Sequence, residues 1–118
     1  MPGRVQIRLR LMLGAEIAMG PGKADLLQGI KETGSIAGAG RRLDMSYRRA
    51  WLLVETMNAC FNAPLVEARK GGRTGGTAIL TKTGEDVLAR YRRIEETALS
   101  VTKADRVALQ RLLRAGPQ

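Results

Sequence analysis

Residues 45–60 read MSYRRAWLLVETMNAC and carry the pattern of one long amphipathic helix. Ser46 is a residue type that commonly caps a helix N-terminus, and it precedes the periodic stretch directly. Apolar residues recur at intervals of three and four, on one helical face: Ala50, Leu53, Val54, Met57 and Phe61. Because that face is committed to a core, the first turn presents Tyr47, Arg48 and Arg49 to another partner.

Two shorter helices are predicted before this one. Gly20-Pro21-Gly22 opens a helix over 22–33, with Ala24, Leu27 and Ile30 as its apolar face. Gly34 is placed to end it, as glycine commonly does after a helix. Ser35 then caps a second helix over 36–43, and the small residues within it favour close helix crossing.

The chain after residue 60 predicts a hairpin and two more helices. Pro64 ends the long helix, and residues 65–69 and 77–80 read as short strands around a glycine-rich, basic loop over 70–76. A helix near 82–98 begins at Thr81 or Thr83. Thr102 and Asp105 resemble a capping box for a last helix over 103–114.

The N-terminal stretch alternates between apolar and polar residues. The odd positions hold Val5, Ile7, Leu9, Leu11 and Leu13, and the even positions from 4 to 10 hold Arg4, Gln6, Arg8 and Arg10. This alternation predicts a half-buried strand over 4–13. The fold class is therefore mainly α with a small β component: a winged helix-turn-helix with an N-terminal strand and C-terminal helices for dimerisation. We assign residues 1–99 to the winged helix-turn-helix domain and 100–118 to a C-terminal helical extension.

Composition restricts the function further. The 118 residues carry a formal net charge of +9 and no histidine. The absence of histidine removes Ser-His and Cys-His nucleophile pairs and most zinc sites, so we expect no enzyme, no metal site and no cofactor. The single cysteine indicates a reducing compartment, and no run of 18 apolar residues predicts a membrane helix. We expect a cytoplasmic, nucleoid-associated protein.

The basic surplus falls on the second and third helices and the hairpin. Eight basic and three acidic residues lie between Arg41 and Lys82. Such a surplus is typical of a protein that binds double-stranded DNA, with the long helix in the major groove and the wing on the backbone or minor groove. The predicted contacts are Ser35, Arg41, Arg42, Ser46, Tyr47, Arg48, Arg49, Lys70, Arg73 and Thr74.

Several of these residues also have plainer interpretations. Arg48 and Arg49 alone are compatible with solvated surface charges, and Trp51 is more typical of a core than of a stacking surface. A winged-helix protein-interaction module and a non-specific DNA-coating protein remain as alternative functions. The few aromatic residues argue against base stacking on single strands.

Residues 20–23, 32–36 and above all 45–51 resemble the amino-terminal DNA-binding domain of the ModE family of molybdate-responsive regulators. Pro64-Leu65-Val66-Glu67, the glycine-rich 71–76 and Leu80-Thr81-Xaa-Thr83-Gly84 extend the resemblance over about residues 14–95. The Thr-Gly-Ser and Leu-Thr-Xaa-Xaa-Gly elements are shared with LysR-type helix-turn-helix domains.

The resemblance implies a transcription regulator that binds operator DNA as a homodimer. It places the reading residues at Ser46, Tyr47, Arg48 and Arg49, with wing contacts at Lys70, Arg73 and Thr74. Family members that sense molybdate carry C-terminal oxyanion-binding domains, whereas this sequence ends at Gln118. We therefore expect either a stand-alone regulator or one whose sensing function lies in a separate effector-binding partner.

Overall fold

The structure, a computed structural model, describes residues 3–69 and 76–114. The elements follow in the order β1 (Leu11–Leu13), β2 (Glu16–Met19), α1 (Pro21–Thr33), α2 (Ile36–Arg42), α3 (Tyr47–Cys60), β3 (Val66–Arg69), β4 (Thr77–Leu80), α4 (Lys82–Val101) and α5 (Lys103–Leu112). Strands β1 and β2 form one antiparallel pair, and β3 and β4 form another.

The helix boundaries follow from local capping chemistry, much as predicted. Gly34 ends α1 in the left-handed region at φ 76°, where a side chain is disfavoured, and its N–H donates to the Ile30 carbonyl at 2.8 Å. Ser35 caps α2 by accepting from Gly38 N, and Ser46 caps α3 by accepting from Arg49 N. Of the two threonines proposed for α4, Thr81 is the cap, since its Oγ1 accepts from Gly84 N.

The core lies where α1, α2 and α3 cross. Ala50, Val54 and Met57 of α3 are buried, and the fully buried side chains include Leu26, Leu27 and Ile30 of α1. A Cβ built on Gly40 of α2 would lie 3.4 Å from Cβ of Ala50. The small residues of α2 thus allow the close helix crossing that the sequence predicted.

The hairpin of β3 and β4, here called the wing, is attached directly to this helical unit. Its register runs from Val66↔Leu80 to Arg69↔Thr77. Ala78 N donates to the Gly34 carbonyl at 2.8 Å, which joins β4 to the end of α1. Helices α1–α3 followed by this wing confirm the predicted winged helix-turn-helix.

The prediction of a half-buried strand over 4–13 is wrong. Within this stretch only Leu11–Leu13 is a strand. The chain turns at Gly14 (φ 59°), and the following β2 has four residues, so it is long enough to pair with β1 but not with the residues before it. The preceding residues run beside the C-terminal helices instead. Val5 N donates to Gln110 Oε1 at 3.4 Å, and the Tyr91 hydroxyl donates to the Leu9 carbonyl at 2.7 Å. Helix side chains thus satisfy backbone groups that a strand would have paired.

The last turns of α4 and the whole of α5 extend away from the core, whereas Leu88 and Tyr91 of α4 belong to it. None of the residues of α5 is buried. The radius of gyration is 17.2 Å, whereas a compact domain of this length has about 13.5 Å. Thr102 makes no capping hydrogen bond to α5, so the predicted capping box is wrong: its Oγ1 donates back to the Ala98 carbonyl. Within the described residues, no helix is long and apolar enough to cross a membrane.

Gly84 supplies a test of this packing. A Cβ at Gly84 would lie 2.0 Å from the Leu65 carbonyl oxygen, a backbone atom held by Thr81 N. Gly84→Ala is therefore expected to lower the free energy of unfolding by about 1–3 kcal/mol, the usual range for overpacking, in urea denaturation.

The matched control is Gly22→Ala, because a Cβ at Gly22 meets nothing within 4 Å. This substitution is expected to leave stability unchanged or to raise it by up to about 1 kcal/mol through helix propensity. Equal stability of the two variants would contradict the packing described for α4 and the wing.

Candidate nucleic-acid interface

The N-terminal turn of α3 is divided between core and solvent. Ser46 Oγ accepts from Arg49 N at 3.1 Å, which fixes where the helix begins. Tyr47, Arg48 and Arg49 follow and are all exposed, whereas Ala50 is fully buried. The predicted reading residues therefore lie together on the outer surface of a helix whose opposite side is part of the core.

The two arginines of this turn have no acidic partner among the residues that the structure describes. The ion pairs found there join α1 to α4 or lie within α4, apart from one between Glu32 and Arg42. Carboxylates therefore pair with Lys31, Arg90 and Arg92 of α1 and α4. The guanidinium groups of Arg48 and Arg49 keep their donors for an external acceptor.

Tyr47 and Trp51 form a stacked pair one turn apart. Their ring centroids lie 6.4 Å apart with an interplanar angle of 27°, within the range of favourable aromatic contacts. Trp51 is half-buried and packs against the core, as the sequence favoured, while Tyr47 is 58% exposed. The indole thus supports the phenol ring from the core side and leaves its outer part accessible.

The aromatic pair lines a cleft of about 460 Å³ between α2, α3 and the end of the wing at Arg69 and Thr77. Its walls are Ile36, Ala37, Tyr47, Trp51, Ala68, Arg69, Gly76 and Thr77. A neighbouring cleft of about 410 Å³ shares three of these residues and adds Arg41 and Ser35. Helix α3 and the wing therefore border one continuous concave surface, whose lining includes Arg41 and Arg69.

Other predicted contacts are less available than the sequence suggested. Ser35 Oγ is engaged as the cap of α2, accepting from Gly38 N at 2.8 Å. Arg42 donates to the Glu32 carboxylate. Hydrogen bonds from Gln28 and Arg42 lower the pKa of Glu32 below its usual value. Both arginines are exposed, but Arg42 is paired with an acidic neighbour, whereas Arg41 has no ion pair among the described residues.

Lys70, Arg73 and Thr74, the predicted contacts of the wing, lie outside the described residues. The structure identifies Arg69, which was not among the predicted contacts. It ends β3, is exposed, and borders the cleft opposite the aromatic pair. Its charge had been counted in the basic surplus, but the sequence does not reveal that β3 brings it toward α3.

The described residues include no group of three His, Cys, Asp or Glu side chains that could hold a metal ion. The surface described above offers hydrogen-bond donors and an aromatic wall. Such a surface suits an anionic, partly apolar polymer.

Comparisons with known proteins relate the chain to transcriptional regulators. ModE of Yersinia pestis, a transcriptional regulator, is 34% identical over 115 residues, covering 95% of this chain and 44% of that protein. The molybdenum-pterin-binding protein MopA of Rhodobacter capsulatus is 44% identical over 77 residues, covering 65% of this chain and 29% of that protein. The chain thus spans less than half the length of either relative. No protein-family model matches it.

Solved structures agree on the fold. The DNA-binding domain of CbnR in a complex with DNA superimposes with a TM-score of 0.56 at 25% identity, covering 74% of this chain and 94% of that one. A LysR family transcriptional regulator superimposes with a TM-score of 0.51 at 18% identity, covering 70% of this chain and 26% of that one. The second likeness concerns the fold alone.

Proposed function

The chain is a homologue of the ModE family of transcriptional regulators, and from this premise we propose that it is a sequence-specific double-stranded DNA-binding regulator that acts as a homodimer. One observation carries the proposal. Arg48 and Arg49 are exposed, have no acidic partner in the described residues, and extend from the first turn of a helix whose other face is buried. The protein is not an enzyme on this account, and it acts in the cytoplasm on the nucleoid.

In the proposed complex, α3 enters the major groove with its N-terminal turn against the base edges. An arginine there binds the O6 and N7 atoms of one guanine with two hydrogen bonds. Ser46 and Tyr47 lie beside the arginines, and their hydroxyls reach phosphate oxygens. The partial positive charge of the helix N-terminus favours the same phosphates.

The wing and the two clefts take the DNA backbone. Arg69 and Arg41 stand at the rims of the concave surface between α2, α3 and β4, so their charges are placed to pair with phosphates. Lys70, Arg73 and Thr74, which follow Arg69 in the chain, extend these contacts to the phosphates or the minor groove. Ser35 and Arg42 contribute at the edge of this surface.

The homodimer is supported by exposed apolar side chains outside the first turn of α3. Large exposed hydrophobic side chains are concentrated in the N-terminal segment and the C-terminal helices: Ile7, Leu11, Met12, Leu13, Ile94, Leu99, Val101, Leu109, Leu112 and Leu113. A monomer rarely leaves such a surface open to water. A second copy that covers it by two-fold symmetry also provides the two recognition helices that a palindromic site requires.

The proposed division into a domain of residues 1–99 and an extension of residues 100–118 falls within α4, which continues to Val101. The extension is therefore attached to the DNA-binding domain through a continuous helix. Effector sensing is not part of the function proposed for the described residues. We propose neither a metal site nor a cofactor site in these residues.

Base discrimination is expected to depend on the two arginines. Arg48→Ala and Arg49→Ala should each weaken binding to the preferred duplex by about 1–3 kcal/mol, while binding to unrelated duplexes changes much less. The measurement compares affinities for a duplex selected from a randomised pool and for a scrambled duplex, at one salt concentration.

Arg93→Ala is the matched control, because Arg93 is an exposed arginine of α4 without an ion pair in the described residues. It removes the same charge from another surface and should leave discrimination intact. Uniform weakening of both duplexes by the α3 variants would make the arginines phosphate contacts and contradict their assignment as reading residues.

The dimer has its own test in sedimentation equilibrium. The wild-type protein is expected at twice the chain mass of 12.8 kDa. Leu112, which is 81% exposed, should lie in the interface, so Leu112→Glu should raise the dimer dissociation constant at least tenfold, or about 1.4 kcal/mol.

Ile79→Glu is the control, since Ile79 is 60% exposed but lies on β4, outside the apolar surface. It should leave the dimer unchanged. A wild-type monomer, or a dimer that both substitutions leave intact, would contradict the interface.

A further inference from the structure

Asn58 in the last turn of α3 makes three hydrogen bonds to the base of the wing. Its Oδ1 accepts from Leu65 N at 2.8 Å and from Val66 N at 3.1 Å, and its Nδ2 donates to the Val66 carbonyl at 3.1 Å. One amide side chain thus satisfies both backbone polar groups of the first residue of β3. Among the described residues, no other side chain forms a hydrogen bond between α3 and the wing.

The bonds lie on the outer edge of β3. The N–H and C=O groups of one strand residue point to the same side, and at Val66 both face Asn58, so they face away from β4. On the other side, Leu65 O accepts from Thr81 N at 2.9 Å. Asn58 therefore acts as a second neighbour for β3, which leaves the pairing of β3 with β4 undisturbed.

The same helix carries the reading residues at its other end. Arg49 and Asn58 are nine residues apart, which is about 13.5 Å along an α-helix. Because an α-helix of this length is stiff, the amide transmits the orientation of the reading turn to the base of the wing. Arg69, three residues beyond Val66, is positioned by that same strand.

We propose that Asn58 is a positioning residue that holds the wing at the angle to α3 at which Arg69 and the two arginines of α3 contact one duplex together. The inference rests on the proposed DNA-binding function. Other anchors of the wing, at Ala78 and Thr81, join it to the end of α1 and to α4. Asn58 is the anchor on the recognition helix itself, so its loss should separate the two sets of contacts without removing either.

The test is a double-mutant cycle on DNA binding, measured as a function of salt. In the wild-type background Arg69→Ala should weaken binding and reduce the slope of log K against log salt by about 1, as the loss of one phosphate contact does. In the Asn58→Ala background the same substitution should leave the slope unchanged, and its effect on affinity should be at least about 2-fold smaller, as for residues sharing one network.

Two controls distinguish positioning from general loss of structure. Asn62→Ala changes an exposed asparagine just beyond α3, and Arg69→Ala should keep its full effect in that background. Base discrimination by Arg49 should also persist in Asn58→Ala, because α3 itself is not altered. Should Asn58→Ala fail to fold, Asn58→Asp serves instead, since it keeps the acceptor and removes the donor to the Val66 carbonyl.

The outcomes separate this inference from the function on which it rests. Additive effects of Asn58→Ala and Arg69→Ala would overturn the positioning role, as would an Arg69→Ala variant that binds like the wild type. A wild-type protein that binds no duplex would instead overturn the proposed function itself. Strong coupling at Asn58 and none at Asn62 is the result that supports the inference.

Discussion

The burial of one face of α3 is the constraint on which the rest of the structure depends. Ala50, Val54 and Met57 pack against α1 and α2, which fixes the rotation of the helix about its own axis. Once that rotation is set, the side chains of the residues between Ser46 and Ala50 must face the solvent. The proposed DNA contacts of Arg48 and Arg49 are therefore a consequence of core packing, as well as of their own charge.

The sequence was most informative where structure is decided locally. Caps act within three or four residues, so Gly34 predicted where α1 ends, and Ser35 and Ser46 predicted where α2 and α3 begin. The apolar spacing of α3 also identified the face that is buried. Those two signals together were sufficient for the order of α1, α2 and α3 and for the exposed first turn of α3.

Features that depend on distant partners were not predictable. Alternation over 4–13 is compatible with a strand, but a strand needs a partner of matching length, and β2 has only four residues. Arg69 and Asn58 become significant only once the wing folds back beside α3, because their neighbours lie across the fold rather than along one helical face. No periodic pattern in a single sequence indicates such a contact.

The central claim is that phosphate contacts by basic side chains and major-groove contacts by α3 together give sequence-specific DNA binding. A salt titration of binding to the protein's own upstream promoter fragment and to a scrambled duplex of equal length tests it most directly. If about six basic side chains neutralise phosphates, both log–log plots should fall with a slope of about −5, and the preference for the promoter should persist at physiological salt. Equal affinities for the two duplexes, which decrease in parallel as the salt concentration rises, would contradict sequence-specific binding. They would indicate a basic protein that coats DNA non-specifically.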